Sequence, residues 1–178
     1  MGKEQFLVVF GGVLFGLSAS FYLHSFVRLI REKSFFKEKL YVTYAIGFFV
    51  FTLIDWYVTY DMVQYIDHSI VHYLLTFVEI GILFIISGMI NPDTNQHPSW
   101  EYLKTRTGNI LAVTTLGHCW GLLIPLIFEG IPYITHPAIS LVPVIFLILH
   151  LVLKKPIISH VFVIYVYVLN IYIIYNLM

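Results

Sequence analysis

The sequence predicts an all-α protein, a polytopic integral membrane helical bundle of about six transmembrane helices with both termini on the outer side (N-out/C-out). Three observations carry that expectation. Nine of the ten Lys and Arg residues, all but Lys3, fall in three short segments: Arg28, Arg31, Lys33, Lys37 and Lys39; Lys104 and Arg106; Lys154 and Lys155. Around them lie mostly apolar stretches of about 17 to 25 residues, the length a helix needs to cross ~30 Å of hydrocarbon. A chain that is 59% hydrophobic, 17% aromatic and 11% charged cannot clothe a water-facing surface in polar groups.

The elements follow in order over 1–178, one transmembrane domain with no linker or low-complexity tract. The first span, about 5–27, places its basic residues after the apolar run, the reverse of a signal peptide. Its Gly12, Gly16, Ser20 and His24 recur at every fourth residue, a small-residue ridge suited to close approach of another helix, in this chain or a second copy. In the second span, about 41–61, Thr52, Asp55 and Thr59 share a face. The third, about 69–90, gathers His68, His72, Thr76, Glu79 and Ser87 within an arc of about 100°, a stripe that must face protein or water instead of lipid.

Between the third and fourth spans, Asn91-Pro92-Asp93 opens a turn and Ser99 caps a short helical turn bearing Trp100, Tyr102, Lys104 and Arg106. That mixture suits an interfacial connector, with His97 and His136 in loops facing solvent. The fourth span, about 109–128, holds His118 and the single cysteine, Cys119, which excludes an intrachain disulfide. The fifth runs over about 138–153 and the sixth over about 157–177. Tyr165, Tyr167, Asn170, Tyr172, Tyr175 and Asn176 surround the last helix and are placed to hydrogen-bond neighbouring helices or a partner subunit of a membrane complex.

Orientation comes from charge. The loops after the second and fourth spans carry Asp61, Asp67 and Glu129 and no Lys or Arg, so the basic loops are expected in the cytoplasm. Zero net charge argues against nucleic acid as a partner; the bilayer is the partner this composition implies.

Chemistry must come from polar groups within the spans, because a charge in hydrocarbon costs ~3 kcal/mol or more. Glu79 and His118 each lie 12 residues beyond Asp67 and Arg106. At 1.5 Å per residue that sets both ~18 Å in, near the midplane, and Asp55 ~9 Å below the outer surface. Asp55, Glu79, His118 and Thr76 therefore form a candidate transport path for protons or a small cation. The alternative is an accessory or signalling subunit whose buried polar groups only fix helix contacts.

Two cofactor expectations remain. His68 and His72 at i and i+4, with Asp61 supplying oxygen, form a candidate divalent-metal site. His24, His150 and His160 share a depth near the inner surface, as axial ligands of a b-type haem in a redox subunit would. No GxSxG, HExxH, Walker-type or dinucleotide glycine pattern occurs, so no catalytic residue is nominated.

Overall fold

The computed structural model describes residues 3–62, 70–93, 95–127, 137–155 and 157–177, all of them helix or short connection. The helices are α1 (Lys3–Arg31), α2 (Lys39–Met62), α3 (Ile70–Ile90), α4 (Trp100–Ile127), α5 (Pro137–Ser140), α6 (Val142–Leu153) and α7 (Ile157–Leu177). Among the described residues, three segments are long and apolar enough to cross a membrane: Val8–Arg31, Lys39–Val58 and Ile157–Asn176. Phe77–Ile90 and Val142–Leu153 are shorter apolar helices.

The outer surface agrees with lipid as solvent. Large aliphatic side chains stand on it in number, among them Leu116, Ile145, Ile171 and Val152, the last 72% exposed. A water-soluble domain hides such residues or confines them to small patches.

Two boundaries differ from the expected ones. α4 begins at Trp100, absorbing the turn expected to be a separate connector. Ser99 does cap there, its Oγ accepting from the Tyr102 N–H at 3.2 Å, but the helix then runs on because nothing in Lys104–Gly108 supplies a stop. The expected fifth span is instead split at Leu141 into α5 and α6, with Pro143 in the first turn of α6. Proline has no N–H and its ring displaces the carbonyl four residues back, so the helix restarts there.

α3 packs on α1 and α4, α4 on α6, α2 on α7, and α1 and α3 each also touch α2. Close crossings are made where a side chain is missing. A Cβ on Gly11 would stand 2.8 Å from the Trp56 ring, one on Gly47 3.0 Å from Tyr167, and one on Gly117 3.0 Å from Ile82. The face of α1 that enters the bundle is Gly11, Ser18, Tyr22, Ser25 and Leu29. This corrects the expected seam: Gly16 has nothing within 4 Å of its Cβ position, and Ser20 and His24 are exposed. Burying Tyr22 and Leu29 removes far more apolar area than burying glycine and serine, and that sets the rotation of the helix.

The last helix behaves as its polar residues suggest. Tyr167 donates to the Thr43 carbonyl at 2.8 Å and Asn170 Nδ2 to the Gly47 carbonyl at 3.0 Å, fastening α7 to α2.

At one end of the bundle the first and third connections are laced together. Arg28 donates to the Gln96 carbonyl (2.7 Å) and to Glu32 Oε1 (2.9 Å), while His97 Nδ1 stands 2.8 Å from Glu32 Oε2. The hydrogen bond and charge of Arg28 hold the Glu32 carboxyl below the usual glutamate range. Glu38 Oε2 accepts from the Trp100 N–H at 3.0 Å, favourable for an anion at a helix N-terminus. Deeper in, Tyr41 donates to Asn91 Oδ1 at 3.0 Å and Tyr102 to the Met89 carbonyl at 3.1 Å. Tyr41, Tyr44, Phe48, Ile90, Leu103, Ile110 and Phe162, all buried, fill this half of the bundle.

Candidate functional site

Beyond Phe48 the interior opens. A cavity of about 680 Å³, counting its mouth, lies between α2, α3, α4, α5 and α7. Phe51 and Asp55, one turn apart on α2, reach it from one side, and Glu79, Ile82, Leu83 and Ile86 of α3 from another. α4 contributes Thr114, Gly117, His118, Gly121 and Leu122; Ser140, Leu169 and Ile173 complete it. The spacings are those of single helical faces, so each helix presents one stripe to the space. Gly117 lets Ile82 approach, which draws the α3 and α4 stripes together.

Asp55 and Glu79 are electrostatic neighbours across this cavity. Among the described residues, Asp55 Oδ2 and Thr114 Oγ1 are buried without a hydrogen-bond partner, and Thr114 is only 3% exposed. His118 Nδ1 lies 2.9 Å from the Thr114 carbonyl. A carbonyl can only accept, so Nδ1 carries the hydrogen and the neutral ring presents Nε2 as a lone pair. Nε2 is 3.5 Å from the Tyr165 hydroxyl, which itself donates to the Ile139 carbonyl at 3.1 Å. Phe51 stacks on the imidazole, rings 6.2 Å apart and 6° from parallel.

Of the expected path, the structure brings Asp55, Glu79 and His118 to one space, although the sequence set Asp55 in a shallower layer. The Thr76 side chain lies outside the described residues, as do His68 and the side chains of His72 and Asp61, so the expected metal site falls there. Among the described residues no three His, Cys, Asp or Glu groups stand together as metal ligands would.

The inner histidines have three different surroundings. His24 is exposed on α1, the His150 ring lies 3.2 Å from a Cβ position on Gly108, and His160 packs 4.7 Å from the Trp100 ring. Haem ligation draws no support from that placement.

Sequence reasoning missed Thr114 and Phe51, and it singled out Tyr165 only as a hydrogen-bonding residue of the last helix, without its link to His118. Thr114 was within reach, because it precedes His118 by four residues and must share its face. Tyr165 was not, since no spacing relates it to His118.

No protein family, characterised protein or solved structure matches this chain.

Proposed function

We propose that this is a multi-pass membrane protein that moves or conducts protons or a small cation through the Asp55, Glu79 and His118 cavity. In this reading the chain crosses the bilayer six times, with the basic loops in the cytoplasm and both termini outside. The convergence of two carboxyl groups and an imidazole from three helices carries the proposal. Carboxylates side by side in a poorly polarisable interior repel strongly, and a proton or cation between them relieves that repulsion. His118 Nε2, beside the Tyr165 hydroxyl, offers a further proton acceptor at the same space. Intramembrane ionisable groups that gather at a cavity in this way are the usual markers of an ion or substrate path.

The test is flux in proteoliposomes. Glu79→Gln keeps size and polarity but removes the charge, so it should abolish proton or cation flux while leaving the circular dichroism and melting temperature of the protein near those of wild type. No flux in wild type, or full flux in the variant, would remove the transport reading. The alternative, a non-catalytic accessory or signalling subunit, gains from Tyr167 and Asn170, polar groups whose bonds join α2 and α7. In that case the exposed Gly16, Ser20 and His24 face of α1 is available for a second copy or a membrane-complex partner.

A further inference from the structure

We infer that the occupant of this cavity is an organic ammonium ion, a protonated amine carrying a small apolar group, with its charged head among Asp55, Glu79 and Thr114. The inference rests on the cavity reading above and names its ligand class.

Charge gives the first constraint. Two carboxyl groups and an imidazole line the space, with no Lys or Arg among the described lining residues, so any charge the carboxyl pair carries attracts a cation and repels an anion.

The second constraint is the kind of cation. Zinc takes about four N or S donors and calcium about six to eight oxygens, held close around one point. The described residues contain no group of three His, Cys, Asp or Glu ligands, and most of the remaining wall is apolar, with Ile82, Leu83, Leu122, Leu169 and Ile173 among its residues. Aliphatic walls give a bare ion nothing in exchange for its water. An apolar substituent, in contrast, is stabilised by about 25 cal/mol for each Å² it removes from water. Small-molecule sites are mostly apolar with a few placed polar groups, and this lining has that composition. A proton relay alone needs no such apolar lining.

The third constraint is hydrogen bonding. Asp55 Oδ2 and the Thr114 hydroxyl are buried with no hydrogen-bond partner among the described residues, and Glu79 supplies a further acceptor. A primary ammonium is a donor-only cation with three N–H bonds, so its hydrogen-bonding capacity matches these acceptors. A neutral alcohol of the same shape would satisfy fewer of them and leave the carboxyl pair uncompensated.

The experiment uses purified full-length protein in detergent and a rigid probe series: benzylamine, benzyl alcohol, benzoate, ammonium chloride and zinc chloride. Benzylamine at neutral pH should raise the melting temperature in a saturable, dose-dependent manner, and calorimetry should give it at least about tenfold higher affinity than benzyl alcohol or ammonium. Asp55→Asn and Thr114→Val should each weaken benzylamine severalfold and leave benzyl alcohol unchanged. The wild-type series needs no variant to fold, so it decides the matter by itself. Equal binding of benzylamine and benzyl alcohol would overturn the inference, reducing the cavity to an apolar hole. Ammonium or zinc binding as well as benzylamine would overturn it in favour of an inorganic cation. Benzylamine binding without any proteoliposome flux would support it and remove the transport reading, whereas flux without benzylamine binding would do the reverse.

Discussion

The hydroxyl of Tyr165 on α7 stands 3.5 Å from Nε2 of His118 on α4 while donating to the backbone of Ile139 at 3.1 Å. One group thus joins α7 to α5 and stands beside the only imidazole among the described lining residues of the cavity. Tyr165→Phe should cost about 0.5–1 kcal/mol in reversible unfolding, the worth of one intramembrane hydrogen bond. It should also move the ¹⁵N resonance of His118 Nε2 in histidine-labelled protein. Loss of stability with an unmoved resonance would show that the hydroxyl serves Ile139 alone.

Two glycines of α1, five residues apart, should respond in opposite directions to the same change. Gly11→Ala drives a methyl to 2.8 Å from the Trp56 ring and should destabilise by about 1–3 kcal/mol through overpacking. Gly16→Ala meets open space, and replacing a mid-helix glycine there should raise stability by up to about 1 kcal/mol. Unfolding in a graded denaturant measures both. Equal effects would mean that the close face of α1 has been misplaced.

The joint between the first and third connections should depend on pH through Glu32. Its carboxyl sits below the usual range because Arg28 bonds and charges it. The folded value is lower than the unfolded one, so the contribution is present above the ordinary glutamate range of about 4.3 and fades as pH falls through the lowered value. Glu32→Gln should therefore speed amide exchange at 95–97 at neutral pH, and protection in wild type and variant should converge once the pH falls below the lowered value. A difference that persists in acid would point to a role other than charge.

Sidedness has its own measurement. On a Cys119→Ser background, cysteines placed at Ser34 and Thr105 should react with impermeant reagents only from the cytoplasmic side, and one placed at Gly130 only from outside. Reaction at 105 from outside would invert or shorten the proposed topology.

Much of this architecture was legible in the chain because hydropathy and helix spacing are local properties. The apolar runs marked where helices form, Ser99 marked the start of α4 through its cap, and the polar residues of the last helix announced their bonds to α2. The seam on α1 was read on the wrong face: small residues at every fourth position mark where approach is possible, whereas burial of Tyr22 and Leu29 decided where it happens.

The sequence by itself determined that this protein is helical and apolar on its outside, and that Asp55, Glu79 and His118 are the polar groups hardest to leave in hydrocarbon. Only the tertiary structure decided that these three share one cavity, that Asp55 Oδ2 and Thr114 Oγ1 have no hydrogen-bond partner there among the described residues, and that Tyr165 reaches His118 from another helix. The physical reason is rotation and depth. A helix fixes which residues share its own face, but which face meets which neighbour, and at what height, follows from the burial of bulky side chains along the whole bundle.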